Sequence, residues 1–278
     1  MESIGGQAVL EGVMMKNGKK IAVAVRRDQK IIVEKFSLGF GGSSLLFARG
    51  ILNLYVMFSV GIRSLLISMR LQAKNNEKVP GSFSLGFSFI LSLLLAVFLF
   101  KFLPLHFASS LQSFFQLEQL SFVVFEGLIK LGIFLCYLLL ISRMKDVQRL
   151  FQYHGAEHKA VNCYESGKEL SVKNAQSFTT IHRRCGTTFV FLVLFLSIFV
   201  YVFIPSSLSF WEQLGFRLLL LPVVASLSYE VLRLAARFEK NILLQIFVFP
   251  GLLLQRLTTR EPSDDQVEVG LEALKSTL

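Results

Sequence analysis

Four stretches of this chain are apolar over about 20 residues, the length that an α-helix needs to cross a bilayer. Residues 81–100 and 186–205 carry no charged side chain, whereas residues 120–142 and 213–236 contain a few. We therefore predict four transmembrane helices over these ranges.

The charged residues inside two of these stretches have ordinary explanations. Glu126 and Lys130 are four residues apart, so they can pair on one face of a helix. Arg217 and Arg233 can extend their long side chains to opposite membrane interfaces. A transport role for charge inside the membrane stays open. Transport is the least favoured of the functions considered, because the four predicted spans contain no repeated pair of interrupted helices.

Two other apolar stretches do not fit a simple span. Residues 45–71 are interrupted by Arg49, Arg63 and Arg70, and we predict an amphipathic helix that lies at the membrane interface. Residues 242–255 are too short to cross, and Pro250 interrupts them, so we predict a re-entrant or surface-lying segment.

The N-terminal segment has a different pattern. Lys20–Arg27 and Lys30–Ser37 are rich in β-branched residues and are separated by Asp28 and Gln29, which predicts a small β-hairpin. The fold class is thus mainly α, a polytopic membrane protein with about four transmembrane helices, interfacial helices and a small N-terminal β-hairpin segment. Its predicted parts are an N-terminal motif and hairpin (1–44), the interfacial helix (45–78), transmembrane helices 1 and 2 (79–142), a His- and Cys-rich loop (143–185), transmembrane helices 3 and 4 (186–237), and an interfacial segment with an acidic tail (238–278).

Composition supports a membrane protein and excludes other classes. Of the 278 residues, 53% are hydrophobic and 17% are charged, and the mean hydropathy is +0.57. This is more apolar surface than one soluble core buries, and it is unlike a disordered chain. With three cysteines, the chain is not a disulfide-rich scaffold either.

The distribution of positive charge predicts the orientation. The net charge is +10, but residues 104–119 and 206–213 contain no Lys or Arg, while the loop 143–185 and the tail after residue 236 are rich in both. By the positive-inside rule, this loop and both termini are cytoplasmic. The same rule accounts for the basic charge, so we expect no nucleic-acid partner; the expected partners are the bilayer and membrane proteins or peptides.

The His- and Cys-rich loop holds the residues most suited to chemistry. His154 and His158 are four apart, so on a helix they project from one face, with Glu157 beside them. This is the H-x-x-E-H order of a metalloprotease class in which the Glu acts as a base on water. The loop also contains Cys163, His182 and Cys185.

Imidazole and thiolate are the ligands that zinc prefers, so clustering of these residues predicts a site for zinc or another divalent transition metal. The alternative is that the histidines are hydrogen-bonding groups at the interface and the cysteines are small apolar residues. A disulfide between Cys163 and Cys185 is disfavoured in the reducing cytoplasm.

A weaker candidate is the glycine-rich segment at residues 5–15. It does not end in GKS or GKT, so it is not a Walker loop. Gln7 and Glu11 could line a pocket, and a purely structural turn is an equal alternative. The acidic tail at residues 261–268 could meet the basic loop or supply an oxygen ligand, with a solvated tail as the default.

Four motifs in this order, GGQAVLEGVMM, YHGAEHKAVNCYE, HRRCGTTF and TTREPSDDQVEVGLEALK, resemble the YqhQ-like family of bacterial integral membrane proteins. The resemblance covers almost the whole chain. It concerns a family of unknown function described as metal-dependent enzymes, and it implies that Tyr153, His154, Glu157, His158 and Cys185 belong to the shared pattern. Departures occur at Lys16, Arg183 and Gly270, none of which is a proposed ligand.

Two functions follow as hypotheses. The first is a zinc-dependent enzyme, preferably a hydrolase, at the cytoplasmic face of the bacterial inner membrane, with His154 and His158 as ligands, His182 or Cys185 completing the site, and Glu157 as the base. Its expected substrate is a peptide or lipid in or on the membrane. The alternative is a non-enzymatic assembly or scaffold factor with a closed zinc site, formed for instance by His158, Cys163, His182 and Cys185.

Overall fold

The structure, a computed structural model, describes residues 4–39, 48–73 and 81–278. The predicted part boundaries at residues 44/45 and 78/79 lie outside these ranges. The strands are β1 (Gly5–Val9), β2 (Gly12–Asn17), β3 (Lys20–Arg27) and β4 (Lys30–Ser37). The helices are α1 (Ala48–Gln72), α2 (Ser82–Val97), a π-helical turn (Phe98–Phe102), α3 (Leu103–Phe115), α4 (Gln119–Ile141), α5 (Lys145–Glu165), α6 (Val172–Gln176), α7 (Gly186–Tyr201), α8 (Phe210–Leu219), α9 (Leu221–Arg237), α10 (Ile242–Thr258) and α11 (Asp264–Lys275).

The N-terminal strands form a four-stranded antiparallel sheet in the order β1-β2-β3-β4. The predicted hairpin is confirmed as β3 and β4, with Lys20 opposite Ser37 and Arg27 opposite Lys30. β1 and β2 were missed because glycines dominate their start. The turn between them places Glu11 at a φ of 53°, which only a minority of non-glycine residues adopt.

Both faces of this sheet are covered, because successive side chains of a strand point to opposite faces. Val13 and Met15 of β2 lie in a core shared with α5 and α11. Met14 on the same strand and Val23 on β3 pack instead against α1, where Val60 is buried with them. The sheet is therefore the middle layer between α1 and the pair α5 and α11.

The chain is a membrane protein with helices of spanning length. Among the described residues, Arg49–Gln72, Phe83–Phe115 and Gln119–Ile141 are long and apolar enough to cross a bilayer, and the pair α8 and α9 brings the total to four if it is counted as one span. The first two predicted spans, 81–100 and 120–142, largely coincide with parts of the second and third of these helices. Residues 104–115, which follow the first predicted span, are also helical.

The other two predicted spans are not single long helices. The range 186–205 forms α7, which has only 16 residues and ends at Tyr201. This helix is shorter than the roughly 20 residues that usually cross a bilayer. The range 213–236 is divided at Leu220, where α8 and α9 meet with a bend of 43°. Pro222 lies in the first turn of α9 and has no backbone N–H to continue a helix from α8.

Helix α1 combines features of a span and of a surface helix. Its length and composition qualify it as a span, although we predicted an interfacial helix. Its C-terminal half packs on the sheet, where the Arg63 guanidinium lies 4.1 Å from the centre of the Phe36 ring. Its N-terminal half contacts α9 through a bidentate ion pair between Arg49 and Glu230. The interfacial assignment stays a prediction.

Helix α10 has both of its ends near the His- and Cys-rich loop. Arg183 of that loop lies 3.3 Å from Glu239, just before α10. His154 contacts the carbonyl of Thr258 at the other end. Pro250 does not interrupt this segment, contrary to our prediction, because it lies inside a helix that continues to Thr258. The re-entrant or surface-lying assignment stays a prediction.

A buried group of charges joins α4, α7, α8 and the π-helical turn. Glu126 and Lys130 lie 3.6 Å apart, as their spacing predicted. Arg217 does not reach an interface, contrary to our prediction: its side chain is fully buried and forms a bidentate pair with Glu126 at 2.6–2.9 Å. The reason is that a carboxylate on a neighbouring helix pairs with this arginine, and the sequence pattern does not show that contact.

Candidate metal centre

Helix α5 presents its two histidines side by side. The imidazole rings of His154 and His158 have their centres 4.4 Å apart, as expected for residues one helical turn apart. This helix could in principle continue from the preceding membrane helix. Instead α4 ends at Ile141 and a new helix begins at Lys145, so the direction of α5 is independent of the membrane helix.

Cys185 approaches these histidines from the start of α7. It is the N-cap residue of that helix, and its Sγ accepts a hydrogen bond from the backbone N–H of Thr187 at 3.4 Å. A negatively charged sulfur at this position would lie at the positive end of the helix dipole. The side chain is 4% exposed.

These three residues converge on one point. Nε2 of His154 lies 3.3 Å from Sγ of Cys185, and one ligand atom from each of His154, His158 and Cys185 lies within 4.8 Å of the others. In a tetrahedral zinc site, nitrogen and sulfur ligands are about 3.3–3.8 Å apart, as follows from the usual metal–ligand bond lengths. The spacing fits a zinc ion after small side-chain movements.

The second nitrogen of each histidine is held by a backbone carbonyl. Nδ1 of His154 lies 2.8 Å from the carbonyl oxygen of Thr258, and Nδ1 of His158 lies 2.5 Å from that of Thr180. Such contacts make Nδ1 the donor and leave Nε2 free to coordinate a metal, which is the usual arrangement for metal-binding histidines. Neither threonine carried a signal in the sequence, because any residue has a carbonyl.

Burial also prepares His158 for coordination. Desolvation lowers the pKa of His158, and the nearby thiol of Cys185 opposes this effect only in part. The imidazole is therefore neutral at pH 7, and metals bind neutral imidazole.

Glu157 lies beside this group, against the first strand of the sheet. It is 7% exposed, and burial raises the pKa of its carboxyl group, while the nearby imidazoles of His154 and His182 and the backbone N–H of Gly6 act in the opposite direction. A Cβ on Gly6 would lie 2.8 Å from Cγ of Glu157 and 2.6 Å from the carbonyl oxygen of Met14. Gly6 is therefore the residue that lets β1 approach the site.

His182 is close to the group but does not join it. Its ring centre is 5.6 Å from that of His158, and its Nε2 lies 3.4 Å from Oε2 of Glu165. Burial would raise the pKa of Glu165, but the contacts with His182 and Arg184 outweigh burial and lower it. His182 is thus oriented by a carboxylate beside the converging residues.

The structure does not bring Cys163 to the group either. Its Sγ lies 3.5 Å from the carbonyl oxygen of Glu169, and the side chain is buried in the apolar core with α11. Burial raises the pKa of this thiol, which favours an inert thiol over a metal-binding thiolate. The closed set His158, Cys163, His182 and Cys185 is therefore not assembled.

The remaining candidates lie in structural contacts. Glu11 forms a bidentate pair with Arg149 and accepts a hydrogen bond from the hydroxyl of Tyr153 at 3.3 Å. Gln7 faces the other side of the sheet, where its Oε1 would be 2.5 Å from a Cβ on Gly61 of α1. These residues fasten the sheet to α5 and α1.

Comparison with known proteins gives a family without an assigned activity. A family model described as "protein of unknown function (DUF1385)" matches residues 45–278. The chain is 33% identical over 294 residues to the uncharacterized protein YqhQ of Bacillus subtilis (strain 168), and the alignment covers 99% of this chain and 92% of that protein. No solved structure matches the chain.

Proposed function

Because this chain belongs to the DUF1385 family, whose function is unknown, we propose a function from its own site: it is a zinc-dependent hydrolase. The zinc ligands are His154, His158 and Cys185. The proposed location is the cytoplasmic face of the bacterial cytoplasmic membrane, with both termini in the cytoplasm, as the positive-inside rule predicts.

One observation carries this proposal. Three ligand atoms converge, and within the part of the chain that the structure describes no fourth His, Cys, Asp or Glu joins them. Catalytic zinc sites use three protein ligands and keep one position open, whereas structural sites are closed by four. The described geometry therefore favours catalysis over a structural role.

Each residue then has a defined task. A zinc ion held here would supply a Lewis acid and lower the pKa of a bound water. Thr258 and Thr180 fix the ring orientations of His154 and His158 through their carbonyl oxygens. Glu157, which is buried beside the two histidines, would accept a proton from the attacking water as the general base.

The surroundings favour a substrate from the membrane. Cys185 begins the apolar helix α7, and Thr258 ends the apolar helix α10. A reacting group at this site would therefore lie at the ends of two apolar helices, a position that a lipid or a peptide in the membrane can reach.

The scaffold alternative lacks such support. It requires a closed site, and Cys163 and His182 are engaged elsewhere. The transport alternative would use the buried charges of Glu126, Lys130 and Arg217, and these pair among themselves.

Metal content of the purified protein tests the proposal. We expect about one zinc ion per chain in protein purified without chelators, and loss of that zinc in Cys185→Ser. Cys163→Ser is the matched control, because it changes the other buried cysteine of the same part of the chain, and it should retain the zinc. Wild-type protein without stoichiometric transition metal would refute the proposal, and so would equal zinc in both variants.

A further inference from the structure

Helix α10 carries a stripe of exposed residues that changes from apolar to basic along its length. Ile246, Phe249 and Leu253 are 62%, 57% and 41% exposed. Arg256 continues the same face three residues later and is also exposed. Residues three and four apart share one face of a helix, so these side chains form a continuous strip.

The basic end of this stripe opens into a cavity of about 480 Å³. The cavity lies where α4 ends, where α10 ends, and beside α5, and its walls include Ser142, Gln152 and Leu257. Arg256 and Arg260 line it as well. Arg260 is fixed in place because its backbone N–H donates to the carbonyl of Phe151 and its guanidinium donates to the carbonyl of Ser142.

The charge in this cavity is not balanced by the protein. Among the residues that the structure describes, Arg256 has no hydrogen bond or ion pair, and the guanidinium of Arg260 uses one of its five N–H donors. The carboxylate of Glu261 also lines the cavity, but it is paired with Lys159 at 2.9 Å. Two guanidinium groups therefore remain available for an anion.

We propose that this cavity binds the phosphate headgroup of an anionic phospholipid, with an acyl chain of the same lipid along Ile246, Phe249 and Leu253. An apolar strip that ends in two arginines matches a molecule with an apolar tail and a phosphate at one end. Arginine suits phosphate because its planar fork donates two parallel hydrogen bonds, and basic pockets at the cytoplasmic boundary are typical sites for anionic headgroups. The site lies outside the three converging residues and is independent of the proposed hydrolase activity.

Lipid binding to the full chain in neutral detergent tests this site, with native mass spectrometry as the readout. We expect phosphatidylglycerol to bind at least about tenfold more tightly than phosphatidylcholine of the same acyl chains. Arg256→Gln together with Arg260→Gln should abolish this preference. Arg233→Gln is the matched control, since it removes an exposed arginine from α9, away from the cavity, and it should leave the preference unchanged.

If the double variant does not fold, the single variant Arg256→Gln still tests the proposal. Arg256 has no hydrogen bond or ion pair among the described residues, so its replacement should not affect folding. Arg256→Gln should weaken the preference for phosphatidylglycerol over phosphatidylcholine. Soluble glycerol phosphate should not compete with phosphatidylglycerol. Equal binding of the two lipids, an unchanged preference in the arginine variants, or full competition by glycerol phosphate would overturn the proposal.

Discussion

The backbone of Gly6 lies against the side chain of Glu157, since a Cβ on Gly6 would be only 2.8 Å from Cγ of Glu157, so the first strand of the sheet packs directly on the helix that carries the two histidines. This contact joins the glycine-rich N-terminal motif to the candidate metal centre. It also explains why a residue with a side chain does not fit at position 6.

Gly6→Ala should destabilise the protein and disturb the site. The new Cβ would lie 2.6 Å from the carbonyl oxygen of Met14 and 2.8 Å from Cγ of Glu157, so β1 or α5 has to move. Such overpacking typically costs about 1–3 kcal/mol. Gly5→Ala is the control, because no atom of the described residues lies within 4 Å of its Cβ. Thermal unfolding in detergent measures the difference, and equal unfolding temperatures would contradict it.

Glu157→Gln should keep the fold and the zinc but lose function. The change removes the proposed base and leaves His154, His158 and Cys185 in place. General bases contribute about 10²–10⁴-fold to rate, so the variant should not complement a deletion strain. Glu169→Gln, an exposed carboxylate of the following loop, should complement fully. A zinc-loaded Glu157→Gln protein with normal complementation would point to a structural zinc site.

Glu126→Gln should destabilise the membrane bundle more than Arg217→Met does. Glu126 is the carboxylate partner of both Arg217 and Lys130, so its loss leaves two buried cations without a carboxylate. Removal of one partner from a buried pair costs about 3–5 kcal/mol. In Arg217→Met, by contrast, Glu126 keeps Lys130 at 3.6 Å. Unfolding titrations in mixed micelles would reveal the order, and the reverse order would refute this reasoning.

Single cysteines test the proposed orientation. In a chain with Cys136 replaced, a cysteine at Ser207, which is exposed between α7 and α8, should react with a membrane-impermeant thiol reagent in intact cells. A cysteine at Lys173, exposed on α6, should react only after lysis. Cys163 and Cys185 are buried, so the protein without an introduced cysteine gives the background labelling, which is subtracted from that of each variant. The opposite labelling pattern would show that the orientation is the reverse of the proposed one. Equal labelling of both positions would contradict their placement on opposite sides of the membrane.

Local patterns in the sequence determined a large part of this protein. Alternation and β-branched residues located β3 and β4 at their observed bounds. The four-residue spacing placed His154 and His158 on one face of α5, and long apolar runs indicated membrane helices. These features depend on neighbours within one or two turns of the chain, so the local sequence suffices to predict them.

The tertiary structure decided which of the remaining candidates join the two histidines. Cys185 lies 31 residues from His154 in sequence, and it reaches the imidazole because α7 begins there. Cys163 is nearer in sequence, yet it points into the apolar core, since it lies on another face of α5. Arg217 likewise depends on a distant segment, since its partner Glu126 is 91 residues away in sequence. Contacts between distant segments depend on how whole helices pack, and helix packing is set by the combined shape of many side chains, which a single sequence pattern does not encode.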